Sequence, residues 1–195
     1  MYLPESFAES RPQVLHALMR AHPFATLVVP APGGAPVVDH VPLLLETEGA
    51  GAVLRGHVAR ANALWRMLDA RPESVAVFCG PQGYVTPNWY ATKREHGRVV
   101  PTWNYAVVHA HGRLQAVDDV QWLRALVGRL TAAHEAGRPS PWRVEDAPAD
   151  HVERELRGIV GLELPIERLV GKVKASQNRS PADRAPRDHR ERDRP

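Results

Sequence analysis

The chain has 195 residues, a formal net charge of +3 and no apolar run near the roughly 20 residues that would cross a bilayer. It is long enough for one domain with a sizeable core, and no membrane-spanning helix is expected. A single cysteine, Cys79, excludes an internal disulfide. Its place after the apolar run Val75–Phe78 predicts a buried, reduced thiol. The start Met1-Tyr2-Leu3-Pro4-Glu5 has neither the basic nor the apolar stretch of a secretory signal, and the expected compartment is the cytoplasm. The charge is unevenly spread. Residues Arg179 to Pro195 hold six arginines and four acids, which is +2 of the +3, so the rest carries no basic excess of the kind a nucleic-acid backbone binder shows.

The first predicted element is a helix over Ser10–Ala21, with Ser10 as cap, Pro12 in the first turn and Val14, Leu15, Leu18 and Met19 as its apolar stripe. Pro23 ends it. Phe24–Val29 reads as a strand, Pro30–Gly34 as a turn, Pro36–Leu45 and Ala52–Val58 as two further strands around a turn at Glu48–Gly51. Connections this short predict an antiparallel meander. A short helix is expected over Asn62–Ala70, a buried strand over Ser74–Gly80 and irregular chain over Gln82–Arg98. Pro101–His111 is a strand that continues through Leu114–Val117. Asp119 to Glu135 is the strongest helix, with Trp122, Leu123, Leu126, Val127 and Leu130 on one face. A proline-rich loop, Arg138–Pro148, leads to a short helix over Asp150–Leu156 and a last strand over Gly158–Ile166. The fold class expected is β-rich α+β, an antiparallel barrel with peripheral helices. Residues 1–179 form the domain, and residues 180–195 read as a disordered Arg/Pro/Asp-rich tail.

Four segments combine polar groups with aromatics. Arg55–Asn62 runs off a strand into a helix start, where Arg60 either meets an anion or forms a surface ion pair, and Asn62 either binds or caps. Gly83–Tyr90 carries adjacent Trp89 and Tyr90, which either wall a planar ligand or pin the loop to the barrel. In Val100–Tyr105, strand alternation puts Trp103, Tyr105 and His109 on one face and Thr102 and Asn104 on the other. In Gly171–Arg179, an extended chain lines Lys172, Lys174 and Ser176 along one side, either an anion cradle or a solvated surface. His109 and His111 also share a face, but no cysteine pair or His/Glu helical motif accompanies them. A dedicated metal centre is therefore not expected, and no residue marks a haem ligand.

Taken in order, Tyr2-Leu3-Pro4, His40-Val41-Pro42, Gly56–Asn62, Trp89-Tyr90, Val100-Pro101-Thr102-Trp103-Asn104-Tyr105 and Lys172-Val173-Lys174-Ala175-Ser176-Gln177-Asn178 resemble the PaiB family of FMN-binding negative transcriptional regulators. The resemblance runs from Tyr2 to Arg179. Ala63, Thr86, Asn88 and Ala175 depart from the family's usual residues. The resemblance implies a six-stranded Greek-key split barrel of the FMN-binding type, a homodimer with flavin sites at the interface, and FMN as cofactor. It also implies that Arg60, Lys172 and Lys174 neutralise the FMN phosphate. Trp103, Asn104 and Tyr105 would contact the ring or ribityl chain, with His57, Asn62, Gln177 and Asn178 nearby. DNA is a partner by family name only, since no helix-turn-helix is legible. The alternatives are an FMN-dependent oxidoreductase using NAD(P)H, a passive flavin sensor, or a haem- or metal-binding split barrel.

Overall fold

The computed structural model describes residues 1–31, 33–49 and 51–184. Pro32 of the expected 30–34 turn, and the arginine-rich tail from residue 185 onward, lie outside the described residues. Along the chain run β1 (Ala8–Glu9), α1 (Pro12–Ala21), β2 (Phe24–Val29), β3 (Val37–Pro42), β4 (Leu44–Glu48), β5 (Gly51–Ala59), a 3-10 helix (Ala63–Ala70) and β6 (Glu73–Val85). These are followed by α2 (Lys93–His96), β7 (Thr102–Arg113), β8 (Gln115–Val117), α3 (Val120–Glu135), α4 (Ala149–Arg157), β9 (Ile159–Lys174) and α5 (Pro181–Arg184).

The strands form one curled antiparallel sheet in the order β3-β2-β6-β7-β9-β5-β4, with β1 and β8 added along β9. This is the expected β-rich half-barrel with few helices, built from nine strands among the described residues rather than six. The difference has local causes. The expected strand over residues 36–45 breaks at Leu43, whose N–H donates to the carbonyl of Pro23 at 2.9 Å instead of to a strand partner. The chain therefore leaves β2 after Pro42 and pairs with β5 from Leu44. The first helix starts at Pro12 without the expected Ser10 cap; Glu9 takes the end instead, its Oε1 accepting from the Arg11 N–H at 2.9 Å.

Inside the curl, Leu27, Leu54, Phe78, Val108, Leu162 and Leu164 are fully buried, and Leu15 and Met19 of α1 join them. α3 and α4 build a second, smaller core of Leu123, Val152 and Leu156. Two glycines make these contacts possible. A Cβ on Gly161 would strike the Trp122 ring of α3, and one on Gly112 would strike the Pro165 carbonyl where β7 and β9 slip register. Arg55 adds a polar tie. It donates to Glu163 and to Glu46 at 2.7 Å each, and Arg129 of α3 reaches Glu46 at 2.7 Å.

Gly112→Ala is expected to lower stability by about 1–3 kcal/mol, since no flexible side chain can yield there. Gly128→Ala, in the interior of α3 with open space around its Cβ, should raise it by about 0.5–1 kcal/mol. Urea midpoints of the two variants, moving in opposite directions, check both.

Candidate functional site

At one end of the sheet β7 and β9 pair Tyr105 with Lys174 and Val107 with Lys172. Alternation then gives Trp103, Tyr105, Lys172 and Lys174 a common face. The Trp103 ring meets Tyr84 edge-on at 6.1 Å between centroids, and both rings are about half exposed. Lys172 is 7% exposed. Its Nζ lies 5.3 Å from the Tyr105 ring centroid and 5.6 Å from that of Tyr2, and it donates to the Tyr2 carbonyl at 2.9 Å. Among the described residues no carboxylate lies within ion-pairing distance of it. Ring faces stabilise a cation by about 0.5–2 kcal/mol, well short of what burying an unpaired charge costs.

Lys174 donates to Thr102 Oγ1 beside it. Asn104 Nδ2 donates to Ser176 Oγ at 2.9 Å, which fixes the turn after β9, where Ser176 is in the left-handed region at φ 60°. Gln177 is spent on that turn: its Oε1 accepts from the Ala175 N–H and its Nε2 donates to the Val173 carbonyl. Asn178 is exposed. Asn104, Tyr105, Val173 and Lys174 line a shallow, mainly apolar hollow of about 310 Å³ together with Gln82 and Gly83. Nearby chain is strapped down from the C-terminal side. The Arg179 guanidinium lies 4.6 Å from the Tyr90 ring centroid, and Asp183 accepts from the Thr92 N–H and hydroxyl. Tyr90 Oη is buried and has no hydrogen-bond partner among the described residues.

The other three sequence candidates sit elsewhere. Arg60 lies where β5 meets the start of β9, the opposite end of that 16-residue strand from Lys172 and Lys174. At about 3.3 Å per residue, one phosphate within a single chain does not meet both groups. Arg60 also has four of its five N–H groups engaged. It grips Asp118 with both terminal nitrogens (2.8 and 2.5 Å) and donates to the carbonyls of Arg157 (2.8 Å) and Ile159 (3.0 Å). The pair holds the Asp118 carboxyl below its ordinary value and the guanidinium above its own. Asn62 caps the 3-10 helix, accepting from the Leu64 N–H at 2.9 Å, and donates to Asp39 at 3.0 Å. His57 is half-buried and faces a hollow under α3 and α4. Within one chain Arg60 thus lies away from Lys172 and Lys174, with most of its donors holding the barrel end. Tyr2 and Thr102 join the lysine end, and the sequence reading did not single them out as contacts. Tyr2 is 170 residues away from Lys172, and only strand register links Thr102 to Lys174. His109 and His111 stand 6.3 Å apart on the sheet, and among the described residues no three metal-ligating side chains cluster.

The fit to a flavin mononucleotide rests on this donor set: a flat aromatic wall beside a buried ammonium with no counter-charge among the described residues. An antiparallel half-barrel carrying that arrangement defines a flavin-binding split barrel. The chain belongs to the family described as Putative FMN-binding domain, which matches residues 1–168, and its cofactor is FMN. It is 31% identical over 183 residues to the Bacillus subtilis "Protease synthase and sporulation protein PAI 2", covering 94% of this chain and 85% of that one. It is 34% identical over 219 residues to an uncharacterised Emericella nidulans protein, covering 94% and 87%. In fold it is similar to the "FAD and Heme binding protein from Mycobacterium smegmatis", with a TM-score of 0.64 at 16% identity over 95% of this chain and 78% of that one.

Burial lowers the pKa of His57, His109 and His111, with Arg168 adding to the effect at the latter two. The unfolded chain therefore takes up protons first. The stability these neutral imidazoles contribute is full above about pH 6.5 and is lost as pH falls through their lower folded values. His57→Gln should show a smaller drop in thermal midpoint between about pH 7.5 and pH 5 than the parent.

Proposed function

We propose that the protein binds FMN at the Tyr105/Lys172 end of the sheet, in a site that a second copy completes. The observation that carries this reading is Lys172, a nine-tenths buried ammonium held between two tyrosine rings with no carboxylate among the described residues to balance it. Lys172 and Lys174 supply the charge for the phosphate. Tyr105 and Trp103 supply the stacking surface, worth about 1–3 kcal/mol for a heterocyclic ring. Micromolar binding needs about 8 kcal/mol, so the cationic contacts must provide much of the remainder. Asn104 and Ser176, already bonded to each other, hold the turn that follows the lysines at the end of β9. Arg60 acts as a clamp on the barrel end rather than as a phosphate ligand.

The hollow is open on one side, and the sheet offers a face for a partner. Phe24 and Val38 are 66% and 51% exposed on β2 and β3, and the only cysteine, Cys79, expected to be buried, is exposed on the neighbouring β6. An apolar sheet face left to solvent supports a homodimer in which the second copy covers it and closes the flavin site. A regulatory role draws on the PaiB resemblance, with FMN as the sensed ligand. The exposed Trp103 and Tyr84 rings favour a second reading, an oxidoreductase, because they leave room for another planar molecule above the flavin. In that case bound FMN supplies the hydride chemistry and the chain positions it.

Lys172→Ala with Lys174→Ala should weaken FMN binding at least about tenfold. Arg60→Ala should lower the thermal midpoint yet leave FMN affinity within about twofold. Fluorescence titration with FMN reads both, and equal affinities for parent and double lysine variant would remove the lysines from the site. Light scattering should give twice the chain mass of 21.6 kDa. Anaerobic NADH or NADPH then separates the two roles: bleaching of the bound flavin marks the oxidoreductase, and an unchanged spectrum marks the sensor.

A further inference from the structure

A second hollow lies at the other end of β9 from the lysines, beside His57 and Ile159. It has a volume of about 320 Å³ and is closed below by His57 of β5 and Ile159 of β9, and at the sides by Val127 and Thr131 of α3 and Val152 and Leu156 of α4. Its size is at the lower end of the range for small-molecule sites. The lining is mostly apolar, and of its two histidines His151 is hydrogen-bonded to Arg154 at 2.6 Å. The half-buried His57 ring has no hydrogen-bond partner among the described residues, and burial keeps it neutral, so it presents one donor and one acceptor to the hollow.

The third side is the proline-rich segment between α3 and α4, which carries Trp142. This loop is tied at both ends. Glu135 Oε2 accepts from the Trp142 N–H at 3.1 Å and its other oxygen pairs with Arg138, while Asp146 accepts from the Arg143 N–H at 2.8 Å. These bonds hold the indole, 48% exposed, at the hollow. A large aromatic kept half in water beside an apolar cavity is a ring surface without a partner. No lysine or arginine lines the hollow; its ionised group is Glu155. That disfavours phosphates and carboxylates and points to a neutral ligand.

We propose that this hollow is a binding site for a small neutral aromatic alcohol of one or two rings, stacked on Trp142 with its hydroxyl bonded to His57. The site is separate from the flavin reading and stands without it. Its ligand meets the protein through the α3–α4 cap, beside which Arg60 donates to the carbonyls of Arg157 at the end of α4 and Ile159 at the start of β9.

2-Naphthol is the probe, titrated calorimetrically into the full-length protein without added FMN at about pH 7.5, where His57 is neutral. The parent should bind one molecule per chain with a dissociation constant below about 1 mM. Thr131→Trp, which fills the hollow from α3, should abolish binding. His57→Phe should weaken it about five- to tenfold by removing the hydrogen bond, and Trp142→Ala should weaken it by a similar factor. Naphthalene, which lacks the hydroxyl, should show no difference between the parent and His57→Phe in competition. Circular dichroism verifies each fold, and if Thr131→Trp does not fold, His57→Phe and Trp142→Ala decide. No binding to the parent at about 1 mM, or parent-like binding in the variants that fold, overturns the proposal.

Discussion

Strand β9 is the constraint on which the rest depends. Its first half pairs with β5 and β8, its second half with β7 and β1, and the change of partner occurs around Pro165 and Arg168. Proline has no N–H to give a ladder, so it sits where the pairing lapses. Gly112 lies opposite, because the backbones approach too closely there for any side chain. A strand that serves two halves of a curled sheet makes the chain ends mutually dependent. Tyr2 reaches Lys172 only because β1 lies along the far end of β9.

The two kinds of cation on this strand's flanks are used differently. Arg55 and Arg60 are planar forks surrounded by acceptors: each meets carboxylate oxygens, and Arg60 adds two main-chain carbonyls. Such contacts fix geometry and use most of the Arg60 donors. Lys172 is the opposite case, a compact ammonium held by two ring faces and a single carbonyl. Its charge is not balanced within the described chain. That imbalance separates a residue that holds the fold from one that waits for an anion.

The helical cap has its own logic. α3 and α4 share a small core with the outer face of β5 and the start of β9, and Gly161 lets Trp122 lie directly on the sheet. This layer is thinner than the main core and leaves a hollow where His57 emerges. One side of the barrel is thus covered by helices, and the face bearing Phe24, Val38 and Cys79 is left bare. The asymmetry gives the domain two different surfaces on one sheet.

Much of this was legible in the residues. The period of α3, the alternation of Trp103, Tyr105 and His109, the cap at Asn62 and the resemblance carried by Val100–Tyr105 and Lys172–Asn178 all follow from local pattern. So does the fold class, since burial period and turn chemistry act over a few residues and survive without knowledge of distant partners; the flavin came only with that resemblance. Register and curvature did not. Which end of β9 meets Arg60 and the commitment of Arg60 to Asp118 depend on contacts between residues 58 to 99 positions apart, and the break at Leu43 that raises the strand count depends on its bond back to Pro23. The sequence by itself determined which side chains the protein has for holding an anion and a ring. Only the tertiary structure decided which of them remain free to do so, because a hydrogen-bonding group is available to a ligand only when the folded chain has not already satisfied it.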